Sequence, residues 1–258
     1  MLLQPLPAFT DNLIWILRAA AGAPALVVDP GDASPVLAAG DAGLEPAAIL
    51  LTHHHADHVG GVAALRERWP QVRVIGPIDD RIAQVDARVA DGDAFDAAGV
   101  ELQVLEIPGH TRSHIAFVAG TAPAPVLFCG DTLFSLGCGR LFEGTPSQMH
   151  RSLQRLAGLP ADARVCCGHE YTLANARFAL AVDPHNLALQ AHHARARGEI
   201  DAGRSSLPST IEAERAANPF LRVDESAIRA AVTAWLGHEP ADAVETFAGL
   251  RSWKDGFS

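Results

Sequence analysis

Histidine and aspartate crowd into one stretch of this 258-residue chain, Thr52-His53-His54-His55-Ala56-Asp57-His58. The pattern His-x-His-x-Asp-His offers imidazole nitrogens and carboxylate oxygens, donors that suit Zn²⁺ or another first-row metal. His53, His55, Asp57 and His58 are more ligands than one tetrahedral ion usually takes from so short a loop, so two ions are the natural reading. Three more positions repeat the setting. His110 follows an apolar run through Pro108-Gly109, Asp131 follows Val126-Leu127-Phe128-Cys129 through Gly130, and His169 follows Arg164-Val165-Cys166-Cys167 through Gly168. Each time a strand pattern ends, glycine lets the chain turn, and a ligand-type side chain comes next. A solvated His tract is the bland alternative. The buried run Ala48-Ile49-Leu50-Leu51 before the loop and Gly60-Gly61 after it argue against that.

The elements that must position these residues fall into two parts. Up to about residue 170, short apolar runs alternate with Gly/Pro/Asp turns, and strands are expected over 14–17, 25–28, 48–51, 72–75, 101–106, 115–118, 126–129 and 164–167. Helical spacing appears over 59–69 and 147–156. Strands and helices mixed at this density point to an α/β sandwich. From residue 173 on, Ala, Arg, Glu and Leu recur at helical spacing over 173–182, 186–198, 210–217 and 225–236, punctuated by Pro184, Pro208, Pro219 and Pro240. The expected division is therefore 1–172 for a domain of mixed strands and helices that carries the metal loops and 173–258 for a helical one.

Composition is that of an ordinary globular protein, with 48% hydrophobic and 19% charged residues. A net charge of −10 argues against a nucleic-acid surface. The start of the chain lacks a basic segment and is interrupted by Asp11-Asn12, unlike a signal peptide, and no run reaches the length of a membrane span. Four cysteines without a Cys-x-x-Cys pair suggest buried, reduced thiols and a cytoplasmic setting. Lys254 is the only lysine.

The metal loops, read together with Asp29-Pro30-Gly31, resemble those of the metallo-β-lactamase superfamily. Within it the chain is similar to the hydroxyacylglutathione hydrolase, or glyoxalase II, family. That narrower likeness rests on Gly137-Cys138-Gly139-Arg140, Gly168-His169-Glu170-Tyr171-Thr172, Leu207-Pro208-Ser209-Thr210, Asn218-Pro219-Phe220-Leu221-Arg222 and Leu250-Arg251-Ser252-Trp253-Lys254-Asp255. The resemblance implies an αβ/βα sandwich, two sheets face to face with helices outside, followed by an all-α C-terminal domain. It implies that His53, His55 and His110 hold one ion, Asp57, His58 and His169 the other, and that Asp131 bridges both. Two divalent ions per chain are expected, Zn²⁺ first, with Fe or Mn as substitutes.

Two ions some ~3.5–4 Å apart can share one water and make it hydroxide at neutral pH, with no separate protein base. That hydroxide, held at Asp131, would attack a carbonyl. A thiolate of pKa ~8.5 leaves without strong protonation, so a thioester suits a site that lacks an evident general acid. The resemblance places Arg140, Phe142, Tyr171, Arg251 and Lys254 at a glutathione site. Arg140 stands where Lys is common and keeps the charge; Phe142 stands where Tyr is common and loses a hydroxyl. The implied activity is hydrolysis of S-D-lactoylglutathione by a monomer, the second step of methylglyoxal detoxification, with no nucleic-acid or membrane partner. The competing readings are a glutathione-persulfide dioxygenase with one iron, a related thioesterase or lactonase, and a non-catalytic metal-binding module. His54 is expected to point away from the ligands. His114 either supports the site or packs. Asp29 either orients a ligand or forms a turn.

Overall fold

The computed structural model describes residues 1–121 and 124–257. The chain divides into two compact units, one of Met1–Glu106 with Ser113–Gly130, the other of Ile107–Arg112 with Asp131–Ser258.

The first unit opens with a six-stranded sheet in chain order: β1 (Leu2–Ala8), β2 (Asn12–Arg18), β3 (Ala25–Val28), β4 (Pro46–Leu50), β5 (Arg73–Pro77) and β6 (Ala87–Val89). The first three strands are antiparallel neighbours, and β3 to β6 run parallel. Three helices join them: α1 (Ser34–Asp41), α2 (Ala56–Val59) and α3 (Val62–Arg68). Register explains the layering. Ile16, Val27, Ile49 and Val74 are cross-strand partners on one face, and they form a core with Val36 of α1 and with Val62 and Leu65 of α3. Trp15, Val28, Leu50 and Ile75 share the opposite face and are equally buried. A sheet apolar on both faces must be covered on both. The unit's remaining apolar layer is the antiparallel set β7 (Ala94–Ala97), β8 (Val100–Glu106), β9 (Ile115–Ala119) and β10 (Val126–Gly130), of which β9 and β10 are buried throughout.

The second unit starts with a tight hairpin, β11 (Leu133–Phe134) and β12 (Gly137–Cys138). Then come α4 (Pro146–Ala157), β13 (Arg164–Cys167), α5 (Thr172–Val182), α6 (Leu187–Asp201), β14 (Ser209–Thr210), α7 (Ile211–Ala217), a 3₁₀ turn (Pro219–Leu221), α8 (Ser226–Leu236) and α9 (Ala243–Asp255). The unit thus takes in strand β13 and helix α4 as well as the helical text from residue 173. Among the described residues, no helix is long and apolar enough to cross a membrane.

The eight expected strands all occur. The helix expected over 59–69 is interrupted by Gly60-Gly61, which separates α2 from α3. The break has a steric cause: the Asp29-Pro30-Gly31 turn lies directly against this segment. Gly61 N donates to Pro30 O at 2.9 Å, and a Cβ on Gly61 would sit 2.5 Å from that same oxygen. At Gly31 a Cβ would lie 1.8 Å from the backbone oxygen of Asp57. Such a clash is with rigid backbone, so the loop must move. Gly31→Ala is expected to lower stability by about 3 kcal/mol or more and to lower metal retention with it, because Asp57 is displaced. Denaturant unfolding and metal analysis of the purified variant check this; a wild-type midpoint with wild-type metal content refutes it.

Candidate active site

In the first unit the candidate ligands sit where β4 runs out. Thr52 and His53 are fully buried at its end, and α2 begins at Ala56 with Asp57 in its first turn. Asp29, at the end of β3, organises them. Its Oδ1 accepts from Thr52 N at 2.8 Å. Its Oδ2 accepts from Thr52 Oγ1 at 2.7 Å and from His58 Nδ1 at 3.1 Å. Because the Thr52 proton goes to Asp29, Thr52 Oγ1 must act as acceptor toward His53 Nδ1, 3.0 Å away. Both imidazoles are therefore held as the Nδ1–H tautomer, and each keeps a lone pair on Nε2. His53 Nε2 lies 3.1 Å from His55 Nδ1, and His58 Nε2 lies 3.5 Å from Asp57 Oδ2. Ligand atoms of Asp29, His53 and His58 also fall within 4.8 Å of one another, but the oxygens of Asp29 already accept from Thr52 and His58.

Neighbouring residues behave as supports. His54, between two candidate ligands, turns to Asp79, with Nδ1 3.6 Å from its Oδ2. Arg81 hydrogen-bonds that carboxylate and holds it well below the ordinary Asp range. His114 stacks on His53 with centroids 4.5 Å apart and 16° between planes. Asn12 donates from Nδ2 to both the backbone oxygen and Oδ2 of Asp57, at 3.2 and 3.1 Å. Sequence reasoning missed Asn12; its only signal was a polar pair, Asp11-Asn12, opening an apolar strand.

In the second unit, Asp131 Oδ2 lies between two imidazoles, 3.5 Å from His110 Nε2 and 3.3 Å from His169 Nε2. His110 donates through Nδ1 to Arg140 O at 2.9 Å, which again leaves the Nε2 lone pair toward the carboxylate. A lone pair and a carboxylate oxygen facing each other call for a cation. The same pairing occurs at His58 and Asp57. The donor set of neutral imidazoles and carboxylates therefore fits divalent metal.

A cavity of about 390 Å³ in this unit is lined by His110 and Asp131 and by the five residues that the resemblance places at a glutathione site: Arg140, Phe142, Tyr171, Arg251 and Lys254. Their side chains differ in availability. Arg140 is 66% exposed. Arg251 is buried, and its terminal nitrogens donate inward, to Cys138 O at 2.7 Å and to Asp255 Oδ1 at 3.0 Å. Lys254 Nζ donates to Ala174 O at 3.3 Å and lies 5.4 Å from the Phe178 ring centre. Burial, reinforced by the cations of Arg251, Arg177 and Arg140, pushes its ammonium down to about 8. The Phe142 ring meets His110 edge-on at 5.2 Å, and Tyr171 stacks on His169 at 4.7 Å. Phe134, Asn175 and Phe257 also line the cavity and were not anticipated, being indistinguishable in sequence from ordinary packing residues. Burial pushes the Cys138 thiol up to about 11, so it forms apolar wall rather than a nucleophile.

Comparison with known proteins bears on the whole chain. The metallo-beta-lactamase superfamily model matches residues 9–169, and the model described as hydroxyacylglutathione hydrolase C-terminus matches 170–257. The chain is 56% identical over 258 residues to a hydroxyacylglutathione hydrolase of Xanthomonas euvesicatoria pv. vesicatoria, covering 100% of this chain and 99% of that one. It is 54% identical over 257 residues to one of Xylella fastidiosa, covering 100% and 98%. The structure of ETHE1 from Myxococcus xanthus shares the fold, with a TM-score of 0.66 and 24% identity over 100% of this chain and 92% of that one. The fold is thus α/β of the metallo-β-lactamase type with a helical C-terminal part. With both family models matched end to end and such relatives along its full length, the chain belongs to the hydroxyacylglutathione hydrolase family of the metallo-β-lactamase superfamily.

Proposed function

We propose that this chain hydrolyses S-(2-hydroxyacyl)glutathione, S-D-lactoylglutathione first among them, to glutathione and a 2-hydroxy acid. That reaction is the second step of methylglyoxal detoxification. The observation that carries the reading is the cavity whose wall combines Asp131 and His110 with Arg140, Phe142, Tyr171, Arg251 and Lys254. A carboxylate between imidazoles stands at one part of the wall and cations at another. A glutathione thioester has the matching chemistry, a reactive carbonyl and an anionic carrier. Family membership supports the same assignment.

The seven ligands are assigned by carrying the family pattern over. His53, His55 and His110 would hold one ion, Asp57, His58 and His169 the other, and Asp131 would serve both. Zn²⁺ is proposed, with Fe or Mn as substitutes. Divalent ions held there supply Lewis acidity, which makes water nucleophilic near neutral pH and polarises the carbonyl. The chain's own residues do the remainder. Asp29 and Arg140 O fix the tautomers that leave His58 and His110 able to ligate. Lys254 and Arg140 attract the glutathione carboxylates, Tyr171 and Phe142 flank the carrier, and Arg251 braces the cavity wall at Cys138. No side chain is assigned as general acid, since a thiolate of pKa ~8.5 departs without one. We assign 1–172 to catalysis and 173–258 to substrate binding, and infer a monomer; a cytoplasmic setting is supported by the four buried thiols. The test is release of free thiol from a thioester panel at defined metal content, run beside an oxygen-uptake assay. Oxygen consumption without thioester turnover would establish the persulfide-oxidising alternative instead.

Metal content separates the ligands. Asp131→Ala should lower occupancy of both ions together, and Asp57→Ala mainly one of the two; atomic absorption on the dialysed proteins reads this directly. Full metal and full activity in Asp131→Ala would sink the binuclear assignment.

Lys254 makes the KM depend on pH. Its ammonium is charged below about 8 and neutral above, so attraction for a glutathione carboxylate is present at low pH and lost as pH rises through 8. KM for S-D-lactoylglutathione should climb above pH 8, and Lys254→Arg should flatten the climb. A climb of equal size in Lys254→Arg would show that another group titrates.

Phe142→Tyr restores the hydroxyl common at this position. It should lower KM with little change in kcat, a gain of ~0.5–1.5 kcal/mol. An unchanged or higher KM would mean that the hydroxyl meets no partner on the carrier.

A further inference from the structure

Two sequence motifs that carry the family likeness have no role in the proposed chemistry, Leu207-Pro208-Ser209-Thr210 and Asn218-Pro219-Phe220-Leu221-Arg222. In the structure both converge on one point, the hairpin β11–β12 that directly follows Asp131. Asn218 is fully buried, and its Nδ2 donates to Phe134 O at 3.1 Å, to Gly137 O at 2.9 Å and to Glu214 Oε2 at 3.1 Å. Glu214, equally buried, accepts from Leu136 N at 2.8 Å and, on its other oxygen, from Ser209 Oγ at 2.6 Å. Asn175 of α5 donates to Ser135 O at 3.0 Å, and Arg251 of α9 to Cys138 O at 2.7 Å. Side chains from three helices and the turn after α7 thus take up the polar backbone of the hairpin tip. They hold Leu136 at φ +58°, a left-handed conformation that a branched residue adopts only when its surroundings impose it.

What the hairpin carries is the active site. Its first strand brings Phe134 against Tyr171 and His169, with ring centres 5.2 and 6.0 Å apart. Its returning end lays Gly139 on Asp131, where a Cβ would lie 1.9 Å from the Asp131 carbonyl oxygen, and Gly139 N donates to Thr132 O at 3.2 Å. The next residue, Arg140, presents the carbonyl that fixes the His110 tautomer. A shift of the hairpin therefore moves Asp131, the acceptor of His110 and one wall of the carrier cavity at once.

We propose that Asn218 and Glu214 are positioning residues for Asp131 and His110: the buried Asn–Glu pair sets the hairpin, and through it both metal retention and carrier binding. The carrier half of this statement rests on the function proposed above; the metal half does not. The test compares Asn218→Ala and Glu214→Gln with Val74→Ala, which opens a cavity in the helix-side core of the other unit. Melting temperature, metal per chain after dialysis against a weak chelator, and KM and kcat for S-D-lactoylglutathione are measured on each. The hairpin variants should lose metal affinity by about 10-fold or more and raise KM as well, whereas Val74→Ala should lower the melting temperature without either effect. Glu214→Gln keeps the side-chain shape and turns an amide N–H toward donors, so it reports even where Asn218→Ala fails to fold. Hairpin variants that lose stability yet keep wild-type metal retention and KM would overturn the proposal. Absent thioester turnover by the wild type would refute the proposed function alone, because metal retention still reads the clamp.

Discussion

The buried carboxylate of Asp29 is the constraint on which the ligand loop depends. One oxygen accepts the Thr52 amide; the other accepts the Thr52 hydroxyl and His58 Nδ1. Those three bonds dictate the protonation of two imidazoles, because the Thr52 hydroxyl, once committed to Asp29, can only accept from His53. Removing Asp29 would leave buried donors without acceptors and free both rings to rotate or change tautomer. The carboxylate reaches this point from a left-handed backbone, φ +52°, a region that Asp enters more readily than most residues. Gly31 and Gly61 follow from the same demand, since the turn carrying Asp29 must lie flat against the loop it organises.

The second unit repeats this logic with backbone in place of a carboxylate. Arg140 O does for His110 what Asp29 does for His58. A carbonyl is a weaker director than a carboxylate and only as well placed as the chain that presents it. That is a physical reason for so many buried hydrogen bonds on the hairpin just before it. Asn218, Glu214, Asn175 and Arg251 contribute modestly as isolated contacts, about 1 kcal/mol for a neutral pair and about 1.5–3 kcal/mol where a charged group such as the Arg251 guanidinium takes part. Their collective effect is to make one conformation of the hairpin far better than its neighbours.

The candidate ligand residues could be named from the sequence because metal chemistry restricts residue type and the strand-turn setting restricts position. His53, His55, Asp57 and His58 announce themselves by spacing, and His110, Asp131 and His169 by a glycine turn after an apolar run. The helices of the second half were legible by period, apart from α9, whose apolar positions are interrupted by Gly249 and Lys254. The edge strand β1 was not legible, because Pro5 and Pro7 break its pattern, and an edge strand tolerates proline where a central one does not. Asn12 was hidden for a different reason, and Asp29 was legible only as far as two alternatives, orienting a ligand or forming a turn. Asn12 bonds Asp57, 45 positions away, and Asp29 bonds Thr52 and His58, 23 and 29 positions away; neither residue type nor local period encodes such pairings. Arg251 shows the opposite case: its presence at the cavity was legible, but the direction of its guanidinium, toward Cys138 and Asp255, was not.

Electrostatics reconcile an acidic chain with an anionic carrier. The net charge is −10, yet Arg140, Arg177 and Arg251 surround Lys254, and burial, reinforced by these cations, drives its ammonium down to about 8. A cluster of like charges is destabilising by itself. Asp255 offsets it in part, 3.0 Å from Arg251 and 3.7 Å from Arg140. The remaining imbalance is what an anionic ligand relieves on binding, so carrier binding should return Lys254 toward its charged form and take up a proton near pH 8. Affinity gained this way acts on substrate and product carrier alike and so leaves the barrier of the chemical step unchanged. The cations around the cavity and the Asp131 carboxylate between its two imidazoles are thus separate sets of residues, joined at one hairpin.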